Sequence, residues 1–188
     1  MNSANPNALE LAPLPMPHAF RSDMDRPVPF DAATIVSVDC PDAGAVPWLD
    51  SHFAEWFGDQ APQVAATLST VQPFHLSTSP EAYAVAVDAA GVRIAARTLA
   101  GVRWAAYSLR QLAIAKRGTF KTEGRILPTL EISDAPRLPF RGIYLCWFPE
   151  TRVAQIERAI RLAALLKFNY AVLEPWGVFA SERHPWYG

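Results

Sequence analysis

Two apolar runs near the end of the sequence constrain the fold more than any other feature. The runs are "RGIYLCW" at 141–147 and "NYAVLEPW" at 169–176, and neither shows the alternation of a strand with one solvated face. Between them lies a segment with apolar residues at helical spacing, namely Val153, Ile156, Ile160 and Ala163. Strand, helix and strand in this order predict a parallel βαβ unit. Because a two-stranded parallel sheet cannot cover its own faces, we expect Arg141 to begin a domain of which the chain holds only the first part.

A β-hairpin followed by a helix is the clearest pattern upstream. In "EAYAVAVDAAGVRIAART" the apolar residues alternate, a four-residue turn ends at Gly91, and the alternation resumes at Val92. The next segment, "TLAGVRWAAYSLRQLAIAK", offers Thr98 as an N-cap. Its apolar stripe consists of Val102, Ala105, Leu109 and Leu112. These residues predict an amphipathic helix that packs on the hairpin.

The first 80 residues predict further strands and one more helix. The prolines of "LAPLPMP" and "RPVPF" favour an edge strand plus a loop, because proline cannot donate a ladder hydrogen bond. We expect strands at 34–39 and around 64–69, and a helix in "PWLDSHFAEWFG" that ends at Gly58. Together with the hairpin and its helix, this order predicts a small α+β domain, a mainly antiparallel sheet with helices on one face.

Glycine and proline residues mark the predicted domain boundary. They interrupt a polar stretch at 117–140, at Gly118, Gly124, Pro128, Pro136 and Pro139. We therefore assign residues 1–120 to the α+β domain, 121–140 to a linker and 141–188 to the second domain.

Composition and charge exclude several classes of protein. With 17 Lys+Arg against 18 Asp+Glu, the chain has no basic excess to neutralise phosphates, so we expect no nucleic-acid partner. The sequence shows neither a signal peptide nor an apolar run of about 18 residues, which predicts no membrane partner and a cytoplasmic location. Cys40 and Cys146 are far apart and outside any zinc-binding spacing, so we expect buried free thiols, no metal and no cofactor.

One combination of motifs resembles the family 20 glycoside hydrolases, the β-N-acetylhexosaminidases. A helix of the "GVRWAAYSLRQL" kind precedes the junction "LPTLEISDAPRLPFRG", and the likeness covers almost the whole chain. The resemblance implies that the α+β domain is an accessory domain of hexosaminidase type. It also implies that 141–147 and 169–176 are the first two strands of a (β/α)8 TIM barrel, which makes the fold class α/β overall.

The resemblance also implies an activity. Such enzymes remove a terminal N-acetylhexosamine, and the acetamido oxygen of the substrate itself acts as the nucleophile. Their catalytic Asp-Glu pair lies on a later barrel strand. We therefore expect no catalytic residue in this chain, no activity of the chain alone, and a carbohydrate as the partner of the complete protein.

Four residues are candidates for substrate binding. Arg141 matches the first-strand arginine of the family, whose fixed fork of donors suits two adjacent hydroxyls. Its alternative role is in the scaffold, where it would close the barrel floor or pair with Asp134. Glu174 and Trp176 lie at the carboxyl end of the second strand, where barrel enzymes bind substrate, and His184 lies in the following loop. Carboxylates accept from sugar hydroxyls, and indole faces cover C–H surface.

Departures from the family pattern indicate a divergent branch. Cys146 stands where the family carries an aspartate, and Val172 and Glu174 stand where it carries two histidines. Two other functions stay open. One is the accessory part of another acetamido-sugar or uronic-acid hydrolase, and the other is a non-catalytic module that binds carbohydrate or a partner.

Overall fold

The computed structural model of the chain describes residues 12–67, 76–115, 125–176, 182, 183 and 185. The chain forms two compact units, Met1–Arg137 and Leu138–Gly188. Among the helices of the described residues, none combines the length and the apolar character that a membrane crossing needs.

The first unit contains a six-stranded sheet. Its strands are β1 (Ala19–Pro29), β2 (Ile35–Asp39), β3 (Gln63–Ala66), β4 (Tyr83–Asp88), β5 (Gly91–Ala96) and β6 (Ile126–Asp134). Their order across the sheet is β1, β6, β4, β5, β2, β3. The pairs β1–β6, β6–β4 and β4–β5 are antiparallel, whereas β2 pairs in parallel with both β5 and β3. A mainly antiparallel sheet, with β1 at its edge, is what the sequence predicts.

Two helices of the first unit pack against this sheet and against each other. They are α1 (Ala45–Phe57), which a short 3₁₀ turn at Gly58–Gln60 follows, and α2 (Leu99–Ala115). Helix α1 buries Leu49, Phe53 and Phe57, spaced four residues apart, so that one face of the helix enters the core. Gly58 has a φ of +58° and ends the helix, as predicted.

The hairpin of β4 and β5 turns where the sequence places it. Asp88 pairs with Gly91 at the ends of the two strands, which leaves a four-residue turn. Gly91 has a φ of +122°, and a Cβ there would lie 2.6 Å from the backbone oxygen of Ile35. Only glycine satisfies both conditions, since other residues rarely adopt this conformation and would collide with β2.

Helix α2 lies on the hairpin through the predicted stripe. The hydroxyl of Thr98 accepts a hydrogen bond from the amide of Ala100 at 3.2 Å and so caps the first turn. Val102, Ala105 and Leu109 are completely buried. Gly101 allows the closest approach to the sheet, because a Cβ at this position would lie 2.4 Å from the backbone oxygen of Ala82.

A buried polar cluster links β4, α2 and β6. The hydroxyl of Tyr83, which has no exposed surface, donates to Asp134 Oδ2 at 3.0 Å and lies 2.9 Å from Ser108 Oγ. His18 Nδ1 lies 2.9 Å from Asp134 Oδ1. Asp134 therefore joins the segment before β1 to the core tyrosine of β4.

The region predicted as a linker is part of the first unit. Residues 126–134 form β6, which lies between β1 and β4 and buries Leu127, Leu130 and Ile132. The compact unit ends at Arg137 rather than near residue 120. The prediction of a linker over 121–140 is therefore wrong for the residues of this strand.

Pro128 is the reason that β6 does not look like a central strand in the sequence. The pairing of β6 with β4 begins only at Leu130, so the missing amide of Pro128 removes no hydrogen bond on that side. On the other side, the register with β1 shifts between Asp23 and Val28, beside the proline. A proline is tolerated at such an irregular position of a sheet.

The second unit is the predicted βαβ. Strand β7 (Gly142–Trp147) leads into helix α3 (Val153–Leu165), and strand β8 (Tyr170–Pro175) follows. The two strands are parallel, and their register runs from Gly142 opposite Tyr170 to Trp147 opposite Pro175. Helix α3 buries Ile156 and Ala163 as predicted.

One expectation for the second unit is wrong. Val153 is 55% exposed although the helical stripe placed it inward, because α3 begins at this residue, directly after the extended Arg152. The two strands leave Tyr144 and Val172 exposed, as expected of a two-stranded parallel sheet that cannot cover its own faces.

The position of β6 predicts where the first unit can be cut. A fragment of residues 1–137 should unfold in one cooperative urea transition, monitored by circular dichroism. A fragment of residues 1–120 lacks the strand that joins β1 to β4, so it should show no cooperative transition. Equal cooperativity and equal midpoints for the two fragments would contradict the assigned role of β6.

The Tyr83 phenol predicts a specific pH dependence. Burial, with the charge of Asp134 as the second cause, raises the pKa of Tyr83 well above its ordinary value of about 10. Above pH about 10 the unfolded chain loses the phenol proton, whereas the folded chain keeps it. The free energy of unfolding therefore falls by up to about 1.4 kcal/mol per pH unit. Tyr83→Phe should be less stable at neutral pH but lose less stability above pH about 10, measured by urea unfolding. Parallel pH profiles of the two proteins would contradict a buried protonated phenol.

Candidate functional site

The carboxyl ends of β7 and β8 form the candidate site. Because the two strands are parallel, these ends lie at the same edge of the sheet. The amide of Trp176 donates to the backbone oxygen of Trp147 at 2.8 Å, which keeps the chain paired one residue beyond β8. The side chains that follow both strands are therefore brought together here.

Glu174 is the charged group of this edge. It lies directly opposite Cys146 in the register of β7 and β8. The hydroxyl of Tyr144 donates a hydrogen bond to Glu174 Oε2, and the thiol of Cys146 lies 3.9 Å from the same oxygen. A phenol, a thiol and a carboxylate thus form one cluster, to which we refer as the Glu174 cluster.

The Glu174 cluster lies on the open face of the two strands. Successive side chains of a strand point to opposite faces, so Tyr144 and Cys146 share one face while Ile143 and Leu145 share the other. Ile143 and Leu145 are half-buried, whereas Tyr144 and Cys146 are exposed. A ligand can therefore reach Glu174 from the face that carries the phenol and the thiol.

An aromatic pair lies next to this face at the strand ends. The rings of Phe148 and Trp176 are stacked, with centroids 6.5 Å apart and planes at 25°. Both side chains are exposed, Phe148 by 43% and Trp176 by 52%. The loop that carries Phe148 is fixed by Thr151, whose hydroxyl accepts from the amide of Phe148 at 3.2 Å and whose own amide donates to the Phe148 oxygen at 2.9 Å.

Arg141 lies at the other end of β7. Its Nε donates to the backbone oxygen of Lys167 at 2.8 Å, and its Nη1 donates to that of Leu138 at 2.6 Å. Lys167 has a φ of +64° and follows α3, so the guanidinium binds the turn that leads into β8. These bonds give Arg141 a place in the scaffold, and its contact with a sugar stays a prediction.

Asn169 completes the junction around Arg141. Its Oδ1 accepts from the amide of Arg141 at 2.9 Å, and its Nδ2 donates to the backbone oxygen of Pro139 at 2.8 Å. The amide of Asn169 donates to the Arg141 oxygen at 2.9 Å. The backbone and side chain of Asn169 therefore tie the start of β7 to the start of β8.

The structure brings together two of the four predicted residues. Glu174 and Trp176 are at the same strand end, whereas Arg141 is at the opposite end of β7. His184 lies outside the described residues, so its assignment stays a prediction.

Sequence reasoning missed Tyr144, Cys146 and Phe148. The spacing of Tyr144 and Cys146 places both on one face of a strand, but which face meets Glu174 depends on the register, which no local pattern gives.

The prediction that Cys146 is buried is wrong, because the face on which it lies is open. Cys40 is half-buried, and burial is the first cause that raises the pKa of its thiol, followed by the charges of Asp42 and Asp39.

Within the part of the chain that the structure describes, no three His, Cys, Asp or Glu side chains are close enough to hold a metal ion.

Comparison with known proteins places the first unit in one family. Residues 12–135 match the family model described as glycosyl hydrolase family 20, domain 2. The match ends just after β6, which agrees with a first unit that includes this strand. No protein with a curated description matches the sequence.

Three solved structures resemble most of the chain. A β-N-acetylhexosaminidase from Bacteroides fragilis is 23% identical and matches over 87% of this chain and 33% of its own, with a TM-score of 0.63. An exo-β-N-acetylglucosaminidase from Vibrio harveyi bound to N-acetylglucosamine is 23% identical and matches over 87% of this chain and 25% of its own, with a TM-score of 0.65. A β-N-acetylhexosaminidase from Streptomyces coelicolor is 22% identical and matches over 87% of this chain and 34% of its own, with a TM-score of 0.66. At these identities the likeness shows the fold. The chain spans a quarter to about a third of the length of these proteins.

Proposed function

Because the chain belongs to glycosyl hydrolase family 20, we propose that it is part of an exo-acting β-N-acetylhexosaminidase, which cleaves terminal N-acetylhexosamine from a glycan. The observation that carries the proposal is the order of the two units. The family match ends at residue 135, and a parallel βαβ begins at Gly142. The Vibrio harveyi structure, which holds N-acetylglucosamine and has the same fold over 87% of this chain, supports an acetamido sugar as the substrate.

We infer that β7 and β8 are the first two strands of a (β/α)8 barrel. In a barrel the strands are covered on both faces. The two strands described here instead expose large apolar side chains, among them Tyr144, Tyr170, Val172 and Leu173. A two-stranded sheet of this kind is at best marginally stable in water. These exposed apolar side chains support further barrel elements that cover them, and they weigh against a stand-alone binding module.

The proposed reaction is the substrate-assisted form of retaining hydrolysis. A protonated glutamate donates its proton to the leaving oxygen, while the acetamido oxygen of the substrate attacks the anomeric carbon. A neighbouring aspartate orients the acetamido group. We place this Asp-Glu pair on a later strand of the complete protein, so the residues of this chain bind the sugar and perform no proton transfer.

Glu174 and Trp176 have the chemistry for this binding. An ionised carboxylate is an acceptor with room for several donors, so Glu174 suits the hydroxyls of a pyranose. The exposed indole of Trp176 offers an apolar face for the C–H side of the ring. In a barrel enzyme the carboxyl ends of the strands hold the substrate, and both residues lie there. His184 is proposed as a further contact from the loop after β8.

Activity of the complete protein is the first test. The product of the whole reading frame should hydrolyse an aryl N-acetyl-β-glucosaminide, and the purified 188-residue chain should release no aryl product above the buffer rate. The chain lacks the proposed acid and the group that orients the acetamide. Turnover by the isolated chain would contradict the absence of catalytic residues. If the complete protein cleaves an aryl glucuronide and no acetamido sugar, the proposed substrate is wrong and a uronic acid takes its place.

Arg141 provides the second test, since it has a scaffold role and a proposed role in sugar binding. If the Arg141 guanidinium contacts the sugar, Arg141→Ala in the complete protein should lower kcat/KM about ten- to a few-hundredfold for each lost bond of roughly 1.5–3 kcal/mol. Asn169→Ala is the matched control, because it removes two bonds of the same junction and leaves the guanidinium in place. Melting temperature and kcat/KM are measured for both variants. Equal kinetics for both would assign Arg141 to the scaffold alone.

A further inference from the structure

We propose that Tyr144 is a positioning residue for Glu174 and that the Cys146 thiol forms the floor of the same sugar-binding face. This inference rests on the proposed function and adds two residues to it. It also predicts that a sugar and a thiol reagent exclude each other at Cys146.

The two carboxylate oxygens of Glu174 have different surroundings. Oε2 receives the Tyr144 hydroxyl and lies 3.9 Å from the Cys146 sulfur. Among the described residues, nothing donates to Oε1. One oxygen is therefore held by the protein, and the other is available to a donor that comes from outside.

Tyr144 orders a side chain that would otherwise be mobile. A glutamate has several rotatable bonds, and ordering them on binding costs conformational entropy. Tyr144 lies on β7, two residues before Cys146, and its hydroxyl donates to Oε2, so the carboxylate is held before any ligand arrives. A carboxylate that is ordered in advance binds a hydroxyl more tightly than a mobile one.

The Cys146 thiol lies close to the carboxyl end of its strand. Cys146 is the last residue but one of β7 and lies directly opposite Glu174. In a barrel this end of the strands stays open to substrate even where other elements cover the faces. A sugar whose hydroxyl reaches Oε1 would lie over this end and cover the sulfur. Conversely, a group attached to the sulfur would occupy the space that the sugar needs.

Alkylation provides a direct readout of this competition. The Cys146 thiolate attacks the methylene carbon of iodoacetamide, a sulfur–carbon bond forms, iodide leaves, and the thiol proton goes to solvent. The rate is followed in the complete protein by mass spectrometry of the peptide that contains Cys146. At an N-acetylglucosamine concentration of about ten times its Kd, about one site in eleven is free, so alkylation of Cys146 should slow about tenfold while that of Cys40 stays unchanged.

A double-mutant cycle tests the positioning role of Tyr144. Tyr144→Phe keeps the ring and removes the hydroxyl, so KM should rise about tenfold, the effect of one lost hydrogen bond, while kcat changes little. In a Glu174→Ala background the same substitution should have no further effect on KM, because Tyr144 acts through the carboxylate. A merely structural tyrosine would change KM equally in both backgrounds.

The outcomes separate this inference from the proposed function. An active wild-type enzyme whose Cys146 is not protected by sugar, or whose Tyr144→Phe effect is the same with and without Glu174, overturns the inference alone. A complete protein that hydrolyses no acetamido sugar overturns both. Protection of Cys146 together with a KM effect that depends on Glu174 supports the inference.

Discussion

The parallel register of β7 and β8 determines what the second unit can bind. Because Cys146 pairs with Glu174, the phenol, the thiol and the carboxylate fall on one face, and the aromatic rings of Phe148 and Trp176 follow at the ends of the same strands. A shift of one residue would move Glu174 to the face that helix α3 covers. The side-chain and backbone hydrogen bonds of Arg141 and Asn169 support this register at the opposite, amino end of β7.

Much of the first unit could be predicted from local patterns. The predictions of the hairpin and of α2 are correct because the alternation, the glycine at positive φ and the capping threonine all indicate the same structure. Strand β6 was missed because Pro128 and the flanking glycines are typical of a linker. Its central place depends on partners more than 40 residues away along the chain, and no property of "ILPTLEISD" alone specifies them.

The candidate site was predictable only in part, for a similar reason. Glu174 and Trp176 follow from the rule that ligands bind at the carboxyl ends of strands in such folds. Tyr144 and Cys146 follow only once the register is known. For Arg141 the motif marks the residue as important, but it does not tell whether the guanidinium binds a sugar or the neighbouring turn.

The place of β6 in the sheet has a consequence for synthesis of the chain on the ribosome. Strand β1 is made before the other strands of the sheet, yet its partner β6 is the last strand of the unit, and Ala19 pairs with Ser133. The edge of β1 therefore stays without its partner while more than 90 residues are added, and β4 also waits for its second neighbour. Unpaired strand edges invite association with other chains. The nascent protein is exposed to this hazard until Asp134 has emerged.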